Sequence, residues 1–281
     1  MINVLDYVRP ITIDEAIERM AADEFIPIAG GTDLIPQLRR GNGCRLLDIG
    51  GLNLDFIRDN DEWIEIGAGT THTEIHESKL VKDNLPLVGR ACGLIGSIQI
   101  RNRGTLGGNI ANASPCADSV PALLVYDAEI KLASRAGERR INLAEFIKGP
   151  YRTNRRPDEL IISILCRKHA PATGGAFLKL GRRQAVNISR MSLAAIIKIG
   201  ENSIIESARV SAGSVFPVPS RIQEVEIMLS GAAVSPELFR KAGEVAAESM
   251  IAKSGRRWST PYKEPVLIGL TQRALTMAAG F

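Results

Sequence analysis

Two paired-glycine segments stand out in the sequence, Ala29-Gly30-Gly31-Thr32-Asp33-Leu34 and Thr105-Leu106-Gly107-Gly108-Asn109-Ile110. Paired glycines let a backbone take positive φ and come close to a ligand. Successive backbone N–H groups can then line a concavity that accepts an anion. A helix starting next adds its dipole to the attraction. Thr32, Thr105, Asn109, Asn112 and Ser114 supply neutral donors suited to phosphate and polyol oxygens. Two such loops could hold a pyrophosphate with no basic side chain. The competing reading is two tight turns, and for a single Gly-Gly it is the stronger one. Two loops in similar polar settings bring the readings level.

Other familiar signatures are missing. Gly67-Ala68-Gly69-Thr70-Thr71-His72 lacks the third glycine of a dinucleotide fingerprint. There is no Gly-Lys-Ser/Thr phosphate loop, no GxSxG elbow and no HExxH. His72 and His76 are four apart and could share a helix face as a metal pair, but no third ligand completes the set. A capping or surface role is expected for them. His169 falls in a suspected linker and is expected to be exposed. Asp118 could cap a following helix or accept a hydrogen bond from a ligand. Cys44, Cys92, Cys116 and Cys166 are far apart and form no CxxC. That argues against structural zinc and iron–sulfur ligation and leaves ordinary thiols. Any redox role must then come from a bound organic cofactor.

Composition narrows the class. The chain has 281 residues, 45% hydrophobic and 23% charged, which suits a globular protein of about two domains. Net charge is 35 − 31 = +4, and the basic pairs, such as Arg155-Arg156 and Arg182-Arg183, are scattered. Only 5% of residues are aromatic. Neither feature suits a nucleic-acid binder. No apolar run has the roughly 20 residues of a membrane span. The opening MINVLDYVRPITIDEA carries early acids, unlike a secretory or transit segment, so a cytoplasmic location is expected.

The elements that must position these residues can be sketched. Thr12 with Glu15 predicts a capped helix over 12–22. Strands are predicted at 25–29 and 44–50, with one or two helical turns between them ended by Gly41 and Gly43. Residues 62–69 alternate like a strand, and short helices follow at 71–78 and 85–97. The second glycine segment reads as a Gly/Asn loop that becomes an apolar helix from about Asp118. Residues 128–134 and 139–146 read as a hairpin, and 158–167 as a strand. A boundary is expected at 169–175. Beyond it come antiparallel strands to residue 213, then three helical segments, an α+β layer.

AGGTDLIP (29–36) and TLGGNIANASPCAD (105–118), followed by PALLVYDAEIKL, resemble the FAD-binding medium subunit of molybdenum hydroxylases. That family includes flavin subunits of xanthine, aerobic carbon monoxide and nicotinate dehydrogenases. FLKLGRRQAVNIS (177–189) resembles the opening of its C-terminal domain. The resemblance implies a vanillyl-alcohol-oxidase-type (PCMH-like) α+β fold. Its FAD-binding domain would be 1–170, with subdomains of about 1–55 and 56–170, and its C-terminal domain 171–281. It implies that Ala29, Gly30, Gly31, Thr32, Asp33 and Leu34 clasp the pyrophosphate together with Thr105, Gly107, Gly108, Asn109 and Ile110. Asn112 and Asp118 match positions on the flavin side. Ile161 falls where an aliphatic residue packs near the isoalloxazine, and Lys179 matches a basic residue near the cofactor. Ile95 falls where some relatives place an aromatic.

It further implies an oxidoreductase without a catalytic side chain, an electron-transfer subunit with non-covalent FAD. The partners would be a [2Fe–2S] small subunit and a molybdopterin large subunit, assembled as a dimer of heterotrimers. Some relatives, such as the 4-hydroxybenzoyl-CoA reductase flavin subunit, carry an iron–sulfur cluster in a cysteine-rich insert. This chain lacks that insert, so no metal or cluster is expected on it. The alternative is a stand-alone FAD-dependent oxidoreductase with its own substrate pocket.

Overall fold

The computed structural model describes residues 3–38, 43–169, 173–183 and 186–280. The expected helix end at Gly41 and parts of the 169–175 and 177–189 segments lie outside the described residues. Strands β1 (Val4–Val8), β2 (Phe25–Ile28) and β3 (Cys44–Asp48) form a parallel sheet with β3 central. Helix α1 (Ile13–Ala22) links β1 to β2, and α2 (Leu34–Leu38) links β2 to β3. Thr12 caps α1 by accepting from the Glu15 N–H. Glu15 itself accepts from the Ile11 N–H at 3.1 Å rather than from Thr12. Ala16, Ile17 and Met20 lie on one helical face and pack into a small core with Phe25 and Leu47.

The second sheet is antiparallel, in the order β4-β5-β10-β6-β7. It comprises β4 (Ile57–Asn60), β5 (Trp63–Gly67), β6 (Glu129–Ser134), β7 (Gly137–Asn142) and β10 (Leu160–Arg167). Strand β10 is buried from Leu160 to Cys166, which explains a run that is apolar apart from Ser163. A minor hairpin, β8 (Ile147–Gly149) and β9 (Arg152–Thr153), lies between β7 and β10 in the chain. Residues 143–146, read from sequence as strand, form a helical turn, α9 (Leu143–Phe146), because Asn142 caps it.

A cluster of short helices separates β5 from β6. It contains α3 (His72–Glu77), α4 (Lys79–Asn84), α5 (Pro86–Gly93), α6 (Ile98–Arg101), α7 (Leu106–Asn112) and α8 (Ser119–Leu124). The second glycine segment is therefore helical, where a loop was expected. Thr105 is the reason, since its side chain accepts from the Gly108 N–H and starts α7.

Strands β11 (Thr173–Leu180), β12 (Met191–Ile199) and β13 (Ile205–Gly213) form the third, antiparallel sheet. One face packs under α10 (Gln223–Leu229), α11 (Pro236–Ser254) and α12 (Thr260–Ala279) in a core that includes Leu193, Val210, Phe239 and Leu275. From the other face, Phe177, Ala194 and Ile196 join the core of the second sheet and its helices. Both faces of β12 are thus covered, so it reads as a continuous apolar strand.

Candidate cofactor site

The first glycine loop leaves β2 and enters α2. Gly31 has φ +69°, a left-handed geometry that glycine adopts without steric cost. The N–H groups of Gly31, Thr32, Asp33 and Leu34 make no hydrogen bond among the described residues. They follow one another at a positive-φ turn, the arrangement that forms an anion-binding concavity.

The second loop is built differently. Thr71 and Thr105 face each other in an antiparallel bridge. His72 N–H donates to the Gly104 carbonyl at 3.0 Å, and Leu106 N–H donates to the Thr70 carbonyl at 3.0 Å. Gly107 N–H donates to the Ala68 carbonyl, Gly108 N–H to Thr105 Oγ1, and Asn109 N–H to the Thr105 carbonyl. These amides are spent within the protein. What the second loop offers is a wall rather than a row of donors.

The four glycines have separate jobs. A Cβ on Gly30 would lie 1.7 Å from the Arg103 carbonyl oxygen, so this glycine lets the two loops touch through their backbones. A Cβ on Gly107 would lie 2.6 Å from the Ala68 Cβ, so this one lets α7 seat on the strand end. Gly108 is exposed, and an added Cβ would meet only Thr105 Oγ1, at 3.0 Å. It leaves one side of the cradle open for a ligand's close approach.

A cleft of about 410 Å³ opens where the loops meet. Its lining includes Arg9, Asp48, Asp55, Thr71, Arg103 and Thr105. Arg103 is exposed and has no ion-pair partner among the described residues. No sequence pattern marks a basic side chain at this junction.

Asn112, at the end of α7, accepts from Gln37 Nε2 at 3.0 Å and so ties α7 to α2. Asp33 is exposed overall, but desolvation by its neighbours raises its carboxyl above the ordinary range, and a hydrogen bond with Asn112 offsets part of that. Asn109 accepts from Ser119 Oγ at 2.5 Å.

Asp118 stands at the start of α8 but makes no capping bond. Its carboxylate pairs with Lys179 Nζ at 2.7 Å and accepts from Ser189 Oγ at 2.5 Å. Lys179 also donates to the Leu94 carbonyl at 2.8 Å and the Asn187 carbonyl at 3.3 Å. This buried pair joins the helical cluster to the third sheet. Ile161 is 5% exposed and packs in the main core from β10. Ile95 is half-buried, and its carbonyl accepts from Arg101.

His72 and His169 differ from expectation, whereas His76 is exposed as expected. His72 is 2% exposed, not a surface residue. His76 turns its ring to the Gly89 carbonyl, 2.9 Å away. Among the described residues no three His, Cys, Asp or Glu side chains are grouped to hold a metal. His169 is part-buried rather than exposed, with Nε2 2.6 Å from the Thr173 carbonyl and its ring against Tyr126. Burial pushes the Cys92 thiol up to about 12 and Cys166 higher still, as inert core thiols require. No helix of the described residues is long and apolar enough to cross a membrane.

Unpaired amides at a positive-φ turn, a glycine with an open face and convergent hydroxyl and amide side chains fit a diphosphate with its polyol arm. Residues 3–166 match the family described as the FAD binding domain in molybdopterin dehydrogenase. Residues 176–278 match the CO dehydrogenase flavoprotein C-terminal domain. The chain belongs to this family of FAD-binding medium subunits of molybdenum hydroxylases. It is 32% identical to the glyceraldehyde dehydrogenase medium chain of Sulfolobus acidocaldarius, covering 97% of this chain and 98% of that one. It is 28% identical to the xanthine dehydrogenase FAD-binding subunit of Escherichia coli O157:H7, over 99% and 97%. Its fold superposes on a carbon monoxide dehydrogenase chain of Hydrogenophaga pseudoflava with TM-score 0.91 and 26% identity, over 99% and 98%. The chain is thus an FAD-binding flavoprotein subunit of an oxidoreductase.

Proposed function

We propose that this chain is the electron-exit subunit of a cytoplasmic molybdenum hydroxylase complex. In this reading it relays electrons from a partner's [2Fe–2S] clusters through FAD to an outside acceptor such as NAD or a quinone. When bound, FAD supplies two-electron redox chemistry with one-electron access. The chain's residues supply position, exclusion of water and charge. The Gly31–Leu34 amides receive the diphosphate, and Thr105, Gly107, Gly108, Asn109 and Ile110 wall it in. Asn112 and Asp33 border the polyol arm. Asp118 and Lys179 orient the flavin end from a buried pair, and Ile161 packs behind it. No acid or base is assigned on the chain. Residues 1–170 form the FAD-binding domain in this reading, and 171–281 the C-terminal domain.

The observation that carries the cofactor assignment is the row of unpaired amides at Gly31 to Leu34, together with the open face of Gly108. Gly108→Glu tests it by placing bulk and negative charge against the diphosphate. FAD content should be lost while the fold survives. Retention of FAD would sink the assignment. Partner chains are supported by relatives that are named medium chains or complex subunits. A [2Fe–2S] chain and a molybdopterin chain, in a dimer of heterotrimers, are the proposed partners. Tagged chain isolated from its own cells should carry molybdenum and iron in proteins that co-elute with it. A flavoprotein that elutes alone and turns over an organic substrate would favour the stand-alone alternative. FAD released intact by heat would agree with non-covalent binding.

A further inference from the structure

His72 is a buried polar group with no visible purpose in the fold. Its backbone N–H helps stitch the second glycine loop by donating to Gly104, but its ring does no such work. Nδ1 is sealed from solvent and has no hydrogen-bond partner, and Nε2 makes no hydrogen bond among the described residues. Leaving such a group unpaired costs stability, so an ordinary core position would favour Phe or Leu.

The ring's location gives the reason. A Cβ placed on Gly104 would lie 3.2 Å from His72 Cδ2 and 3.4 Å from Thr32 Oγ1. The histidine edge and the hydroxyl of the first glycine loop therefore flank the open side of Gly104, the residue before the second loop. Nε2 is bonded to Cδ2, so this nitrogen lies at the junction of the two loops. Burial pushes the ring's pKa down to about 4, and the nearby Arg101 adds to the effect. The ring is neutral at physiological pH and carries one proton. Orphaned buried N–H groups are rarer than under-satisfied acceptors. Placing the proton on Nε2 leaves Nδ1 as the bare nitrogen in the core and makes Nε2 a donor toward the junction.

We propose that His72 is a further cofactor-binding residue, donating from Nε2–H to an oxygen of the FAD diphosphate or its ribityl arm where the two glycine loops meet. The proposal rests on the FAD assignment above. A neutral donor suits the place, because its strength does not change across the physiological range.

The test uses the full chain, stripped of FAD and titrated with FAD by flavin fluorescence, together with apo-protein melting. Wild-type chain must first bind FAD. If it does not, the family-based function fails, and this proposal with it. Given binding, His72→Phe should weaken FAD affinity about tenfold or more, the loss of one hydrogen bond to a charged or polyol acceptor. The apo protein should melt at the same temperature or higher, because the unpaired nitrogens are gone. His72→Gln, which keeps a donor, should recover most of the affinity. In wild-type chain, the 15N resonance of Nε2 should show the neutral protonated form at pH 7 and move on FAD addition. An unchanged FAD affinity in His72→Phe overturns the proposal, as does an unmoved Nε2 resonance. Loss of affinity that merely tracks a falling apo melting temperature also overturns it, since that marks a structural histidine.

Discussion

Gly30→Ala isolates the contact on which the two-loop site depends. The added methyl would lie 1.7 Å from the Arg103 carbonyl oxygen and 2.4 Å from its carbon. Ordinary contact begins near 3.4 Å, so the loops must part by about 3.4 − 1.7 = 1.7 Å. Both contacting groups are backbone, and no side chain can rotate away. Overpacking of this kind costs roughly 1–3 kcal/mol or more. The larger effect should be on the ligand, because 1.7 Å exceeds the tolerance of a positioned hydrogen bond. FAD affinity, measured by fluorescence quenching, should fall at least a hundredfold. Thermal unfolding should drop by only a few degrees, since the third sheet and its helices are untouched. Gly108→Ala is the control. Its methyl meets only Thr105 Oγ1 at 3.0 Å, so stability should barely change. Wild-type FAD affinity in Gly30→Ala, with an unchanged melting temperature, would refute the proposed loop contact.

Lys179→Met leaves Asp118 buried without its cation and should cost about 3–5 kcal/mol by urea unfolding. Adding Asp118→Leu should restore much of that, since removing a buried pair entirely is often near neutral. A double mutant no more stable than Lys179→Met would refute the pairing. Asp33 has a raised carboxyl pKa, so its charged form is penalised in the folded state. That penalty is absent below the unfolded pKa, builds as pH rises from there to the folded pKa, and is complete above it. Asp33→Asn should therefore raise the apo melting temperature at pH 7 but not at pH 3. Of the four thiols, three are buried and only Cys116 is half-buried. A thiol reagent at pH 8 should label Cys116 first in native protein, with the other three following only on unfolding.

The strands with buried apolar runs were legible in the sequence. Residues 160–167 and 191–199 owe their pattern to burial, and burial marks composition directly. Strand β1 left no such mark, because Val4 to Tyr7 are exposed and only pairing with β3 makes it a strand. The Thr12 cap was readable from type and spacing. The helical state of 106–112 was masked by its two glycines and two asparagines, which local propensity counts as loop. Tertiary bonds to Ala68 and Thr70 override that preference.

Both glycine segments could be found as motifs, yet their different work could not. Unpaired amides in one loop and spent amides in the other depend on what the 68–72 segment reaches. Lys179 and Asp118 were each singled out by resemblance, and the ion pair between them is a structural finding. Ser189, which completes that pair's hydrogen bonding, lies 71 residues from Asp118 in sequence and gave no local signal. Nothing in the sequence marked Arg103, and His72 read as a capping or surface histidine. Only the fold brings them to the loop junction.

The most direct test of the account is whether the purified chain holds FAD. After incubation with FAD and removal of free ligand, the account predicts flavin absorbance near 370 and 450 nm, approximate for an oxidised flavin. These bands should stay with the protein and pass to the filtrate after heat release. They should be absent from Gly108→Glu. A well-folded wild-type chain that stays colourless under these conditions would contradict the central claim.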